Sequence, residues 1–289
     1  MDITLKNTLD SKEINKAIQI INQYKVNKVN ILDLSEINFV KPYGLTLLLQ
    51  LFEHLEEIDE IILPKLTTVT YMARMGFFNH AEDILIVDDQ IKEINSLVVK
   101  DPENQSVIDL TKIIDKKDIR FTLQDVHEKT RKILINELHY DSKDIDDFTV
   151  MLSELLTNIP RHSQTYGYVC AQTYRYPGSS RKYVSVCISD MGIGMKESFI
   201  VNGVFTEVND KDALRHAVIE GKSSKVTSGG RGGNGYKGIK EIVNKLKGGM
   251  SIKSGISQIN FSQNHYEFDE SVPDFPGTQV EIILPQKNI

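Results

Sequence analysis

Cysteine is scarce: Cys170 and Cys187 are the only two in 289 residues. That excludes a disulfide-stapled scaffold, and because both sit in strand-like apolar segments they read as buried free thiols rather than a disulfide or a metal pair. Also missing is any run of roughly 18 uninterrupted apolar residues, so no segment reads as a membrane-spanning helix. The opening stretch, MDITLKNTLDSKEINKA, lacks the basic start and apolar run of a secretory leader, and a soluble, cytoplasmic protein without membrane partners is expected. Nor is there a basic excess. The 34 Lys+Arg against 40 Asp+Glu give a formal net charge of -6, which argues against a broad basic face for nucleic acid. No internal repeat or long low-complexity tract interrupts the chain.

Hydrophobic residues at 40% and charged residues at 26% are enough for ordinary cores, and the length suits two modest domains. Over residues 1–97 short apolar runs alternate with helical patterns. VNILDL, EIILP and ILIVDD read as strands and GLTLLLQLFEHLEEI as a helix, while TVTYMARMGFFNHAEDI looks helical up to Gly76. This predicts a small α/β domain with helices covering a sheet. The polar stretch VVKDPENQSV, residues 98–107, reads as the linker. Residues 108–289 carry two helical segments, a hairpin signal (YGYVCAQTYRY, PGSSR, KYVSVCISD) and two further strands, GMSIKSG and TQVEIILP. Without regular βαβ alternation, a mostly antiparallel sheet with helices on one face is expected, so that the chain as a whole is mixed α/β (α+β).

Three places carry candidate chemistry. In SELLTNIPRHS, Glu154, Asn158 and Arg161 fall within roughly 60° on a helix surface, beside an apolar stripe of Phe148, Leu152, Leu155, Leu156 and Ile159. Pro160 should kink or end that helix, because it removes a backbone donor and crowds the carbonyl four residues back. In VCISDMGIGM, Asp190 ends a strand, with Gly192 and Gly194 following. Its carboxylate can accept from an exocyclic amino group, and the glycines let a flat ring or a phosphate approach the backbone. SGGRGGNGYKGIKEIVNKLKGG runs glycines into a helix, an arrangement that exposes backbone N–H groups to an anion. Gly233, Gly235 and Gly238 have dinucleotide-fold spacing, but no strand precedes them and no acid follows about 20 residues on. No Walker A string is present.

Taken in order, Glu154/Asn158/Arg161, Asp190-x-Gly192-x-Gly194, the glycine-rich turn and GTQVEIILP resemble the GHKL ATP-binding family, which includes gyrase, heat-shock chaperone ATPases, histidine kinases and anti-sigma-factor serine kinases. The resemblance spans Val107 to Pro285. It implies ATP and Mg²⁺ as cofactors: Asn158 as the metal ligand, Glu154 as the acid that polarises the attacking water or hydroxyl, and Arg161 near the phosphates. It further implies Asp190 as the adenine acceptor with Gly192 and Gly194 beside it, Gly233 and Gly235 against the triphosphate, and Thr278 on the adenine side. Pro160 and Tyr236 depart from the family pattern, and His162 reads as helix-end packing. Lys196 to Arg231 is expected to form a mobile lid, with Lys222, Lys225 and Arg231 a solvated charge run.

VNILDLSEINFVKPYGLTLLLQLFEHL resembles the STAS domain of anti-sigma-factor antagonists. Where that family carries a phosphoacceptor serine, this chain has Lys41, Pro42 and Tyr43 before Gly44, so serine phosphorylation there is excluded and an interaction domain is expected. The pairing implies a serine/threonine protein kinase of the anti-sigma type controlled by its own STAS-like domain; the alternative is an ATPase whose nucleotide switches partner binding or dimerisation. The expected partner is a protein, met through the STAS-like domain or the lid, with a homodimer among the expected assemblies. A histidine kinase is disfavoured, since no helical hairpin with a phosphoacceptor histidine precedes the ATP domain.

Overall fold

The computed structural model describes residues 1–81, 106–114, 119–160, 165–224, 235–263 and 265–287. The expected strand ILIVDD and all of the expected linker except Ser106 and Val107 lie outside them, and Val107 already opens a strand.

The first unit alternates strand and helix: β1 (Asp2–Leu9), α1 (Ser11–Tyr24), β2 (Lys28–Val40), α2 (Pro42–His54), β3 (Glu57–Ile62), α3 (Leu66–Arg74) and α4 (Phe77–Ala81). The sheet has the order β1-β2-β3 and both pairings are parallel, as helical crossovers require. Helix α1 starts where the Asp10 carboxylate caps the amides of Lys12 and Glu13, and it buries Ile14, Ala17, Ile18 and Ile21. Helix α2 is enclosed on all sides along most of its length.

The second unit runs β4 (Val107–Ile113), α5 (Ile119–Lys132), α6 (Ser142–Asn158), β5 (Gly167–Arg175), β6 (Lys182–Asp190), α7 (Gly194–Val201), α8 (Asp210–Leu214), α9 (Gly235–Lys245), β7 (Gly249–Ser254), β8 (Ser257–Ser262), β9 (His265–Asp269) and β10 (Thr278–Pro285). Its seven strands lie in the order β4-β5-β6-β10-β7-β8-β9, every neighbour antiparallel. The mixed α/β class and the antiparallel sheet are as expected. Helix α6, capped by the Asp141 carboxylate on the Asp144 amide, buries Ile145, Phe148, Met151, Leu152, Leu155 and Leu156, and it ends at Asn158, two residues before Pro160.

The second unit's helices lie on one face of the large sheet, as expected, and the first unit covers the other. Along β6, Val184, Val186 and Ile188 belong to the core under α6 and α9, whereas the intervening Cys187 belongs to the first unit's core together with Tyr168, Cys170 and Phe275. Direct bonds join the units: the Tyr168 hydroxyl donates to Glu53 Oε1 at 2.7 Å, Lys253 Nζ to Asn15 Oδ1 at 3.0 Å, and Asn22 Nδ2 to the Asp274 carbonyl at 2.6 Å. The two cysteines, opposite each other on β5 and β6, are free thiols sealed at this boundary, as the sequence implied. Tyr43, 2% exposed, is equally closed off. Of the segment expected to be a lid, Lys196 to Ser224 is largely helical with Phe199, Leu214 and Val218 buried, and residues 225–231 lie outside the described residues. Among the described residues no helix is long and apolar enough to cross a membrane.

Gly44 fixes how α2 enters its layer. A Cβ there would stand 2.1 Å from the Leu9 carbonyl oxygen, a backbone atom with no freedom to yield. Gly44→Ala should therefore destabilise the chain by about 1–3 kcal/mol, the usual cost of overpacking, read as a lower urea midpoint; an unchanged midpoint would contradict this close approach.

Candidate functional site

One cleft opens between the helix layer and the end of the sheet where β6 stops and β10 begins. It is lined by Glu154 and Asn158 of α6, Asp190 of β6, Gly194 and Ser198 of α7, Lys222, Gly235 and Tyr236 of α9, and Thr278 of β10. Of the sequence-predicted residues, Glu154, Asn158, Asp190, Gly194, Gly235 and Thr278 meet here. Gly192 stands beside them, its amide donating to Asp190 Oδ1 at 2.8 Å. Arg161 and Gly233 lie outside the described residues, as do His162, Lys225 and Arg231.

The cleft has two chemically distinct ends. At one, Asp190 is 9% exposed. Its carboxylate is pushed up to about 7 because burial penalises the charge, against the opposing effect of amide donors from Gly192 and Thr278. Its oxygens can accept from a ligand that offers an amino group. Gly277 holds this end together. With φ at 80°, it lies so close to Asp190 that a Cβ would stand 1.9 Å from the Asp190 carbonyl oxygen. Ser254 Oγ completes the brace, accepting from the Met195 amide at 2.9 Å and donating to the Gly277 carbonyl at 3.2 Å. Strand β7, the start of α7 and the start of β10 are thereby locked around one carboxylate.

At the other end, Glu154 and Asn158 stand one helical turn apart against the first residue of α9. A Cβ on Gly235 would come 2.9 Å from Glu154 Oε1, so only glycine leaves that carboxylate where it is. The N-terminus of α9 faces this acid and amide, a setting in which backbone N–H groups and the helix dipole favour an anion. Between the ends sits Tyr236, whose phenol is within electrostatic reach of both Asp190 and Glu154 and is held firmly neutral by burial and by those carboxylates. Lys222 lies at the rim, paired with Glu220 at 3.0 Å and 5.1 Å from the Phe205 ring centre.

Among the described residues no group of three or more His, Cys, Asp or Glu could hold a metal alone. Asn158 and Glu154 are hard oxygen donors suited to sharing Mg²⁺ with phosphate and water, the mode that ion ordinarily adopts. Sequence reasoning missed Ser254, Gly277 and the hydrogen-bonded hydroxyls of Ser198 and Ser224, 2.7 Å apart. The glycine before Thr278 was visible in the string GTQVEIILP; the serines carry no spacing signal, because their partners are tens of residues away.

The raised pKa of Asp190 gives its pH dependence a definite sign. Unfolded, the group ionises near pH 4, whereas folded it keeps its proton to about 7. Its contribution to stability is whole below about pH 4 and falls away as pH rises through about 7, at up to about 1.4 kcal/mol per pH unit. Unfolding free energies measured across that window should decline in the wild type relative to Asp190→Asn; parallel curves would contradict the assignment. No family model matches this chain, and no curated protein matches it.

Proposed function

We propose that this cleft binds Mg-ATP and that the chain is a nucleotide-dependent signalling protein, in its leading form a serine/threonine protein kinase of the anti-sigma type governed by its STAS-like first unit. The observation that carries the reading is convergence: residues from four segments separated by up to about 120 positions, each resembling a GHKL motif, line one cleft, with a buried acceptor at one end and an acid, an amide and a helix N-terminus at the other. In this reading Asp190 receives the adenine amino group, and Gly277 and Thr278 hold the carboxylate in place. Gly235 and the N-terminus of α9 accommodate the phosphates. When bound, Mg²⁺ would neutralise phosphate charge and make the terminal phosphorus a better electrophile, with Asn158 as its protein ligand. Glu154 takes the proton of the attacking oxygen, whether that oxygen belongs to water or to a protein hydroxyl.

The competing reading is a GHKL ATPase that uses nucleotide to switch partner binding or dimerisation. It is favoured by the helical build of Lys196 to Ser224 and by the bonding of the segment before Thr278 to the first unit. Terminally labelled ATP incubated with the protein and a cell extract separates the two: label on a partner protein supports the kinase, and free phosphate alone supports the switch.

Two substitutions test the site. Asn158→Ala should abolish Mg-dependent ATP binding in a calorimetric titration, and retained affinity would refute the metal assignment. Glu154→Gln, nearly the same size, should bind ATP as the wild type does while turnover drops about 10²–10⁴-fold, as removal of a general base does; wild-type turnover would exclude Glu154 as the base.

A further inference from the structure

The boundary between the two units carries polar groups on both sides, set among apolar ones. On α2, Pro42, Tyr43, Thr46, Gln50, Glu53 and His54 fall within about 120° of one another at 100° per residue. This is the side that meets the large sheet: the Cys170 thiol lies 3.8 Å from the Pro42 carbonyl, Tyr168 bonds Glu53, and the His54 and Phe275 rings are 5.7 Å apart. The sheet answers with Ser185, Ser189, Lys253, Gln279 and Glu281, each alternating with an apolar residue that faces the helices. Several of these groups are sealed without hydrogen bonds. Tyr43 Oη, both amide atoms of Gln50, Ser189 Oγ and Gln279 Oε1 have no partner among the described residues. Each such group costs roughly 1–3 kcal/mol when buried, a cost that water would remove if the units parted. Tyr168, Cys170, Cys187 and Phe275 pack into the first unit's core along the same seam, so the contact combines apolar anchors with unpaired polar groups whose cost would be relieved on separation.

The same boundary is wired to the cleft through residues 274–279. Asn22 of the first unit holds the Asp274 carbonyl at 2.6 Å. The Phe275 ring, 2% exposed, is embedded in the first unit's core. Gln279 Nε2 turns back to the Pro276 carbonyl at 2.7 Å. Directly afterwards come Gly277, pressed against Asp190, and Thr278, whose amide donates to it. A single residue, Pro276, separates the ring in the neighbouring core from the glycine that braces the buried acceptor.

We infer that Phe275 is a positioning residue that couples docking of the first unit to the nucleotide site: the docked unit holds Gly277 and Thr278 against Asp190, and release of the unit loosens the purine end of the cleft. This inference rests on the nucleotide reading above and adds its regulation. Coupling is reciprocal, so nucleotide must tighten docking by the factor by which docking tightens nucleotide, and any partner that pulls α2 from the sheet lowers nucleotide affinity.

The chain carries its own reporter, because its only two thiols, Cys170 and Cys187, are both fully buried at this boundary. Maleimide labelling of the full-length wild-type protein is measured with and without Mg-ADP, alongside ADP affinity by calorimetry and global unfolding by circular dichroism. Expected are labelling faster than global unfolding, slowing of about 10-fold at saturating ADP, and, in Phe275→Ala, faster labelling matched by an equal fractional loss of ADP affinity. Phe275→Leu, which keeps an apolar plug, should restore most of both and guards against a variant that merely fails to fold. If the wild type binds ADP yet its labelling is indifferent to it, or labelling only follows global unfolding, or Phe275→Leu and Phe275→Ala bind ADP as the wild type does, the coupling is overturned while the nucleotide reading survives. If the wild type binds no adenine nucleotide, both fall.

Discussion

A sheet is one residue thick, and that constraint organises this protein. Successive side chains of β6 and β10 point to opposite faces, so Asp190 and Thr278 enter the cleft while their neighbours Ser189 and Gln279 enter the boundary with the first unit. A shift of either strand along its axis is felt on both sides at once. The cleft and the inter-unit contact are two faces of the same few peptide bonds, and Ser254 and Gly277 fix how those bonds lie.

Electrostatics follow from the same layering. Covering both faces excludes water from the middle of the sheet, and the groups trapped there shift accordingly. Asp190 holds its proton to about 7, and the Lys253 amine is pushed down to about 8, both chiefly through burial. Lys253 is 1% exposed and spends its charge on Asn15 and the face of Phe275, both across or beside the boundary. Without the first unit Lys253 would be an ordinary solvent-facing side chain, whereas Asp190, on the opposite face, owes its burial to the cleft.

Much of this was legible in the sequence. Helix α6 announces itself through its apolar period, and its polar flank of Glu154 and Asn158 does face a cleft. The KYVSVCISD and TQVEIILP strings declare strands through alternation. That alternation also explains what stayed hidden. Ser185, Ser189, Gln279 and Glu281 have the polar character of a face turned to water, and sequence alone offers no sign that α2 would be laid over it. Helix α2 misleads in the complementary way, since its leucines dominate the pattern and hide the narrower stripe of Tyr43, Thr46 and Gln50. Tertiary braces such as Ser254 to Met195 are invisible for a simpler reason: one hydroxyl among many has no periodicity. In the segment expected to be a lid, the anchors Phe199, Leu214 and Val218 went unremarked because their spacing is too irregular to stand out.

Strand β10 stands in the middle of the seven-stranded sheet, between β6 and β7, although residues 278–285 come after all its neighbours in the chain. The described strands of the first unit, parallel and joined by local crossovers, all lie within residues 1–81 and can gather while synthesis is still under way. The large sheet has no such freedom. Until the ribosome has released its last strand, β6 and β7 face each other across a gap, and the pocket that both help to build does not yet exist.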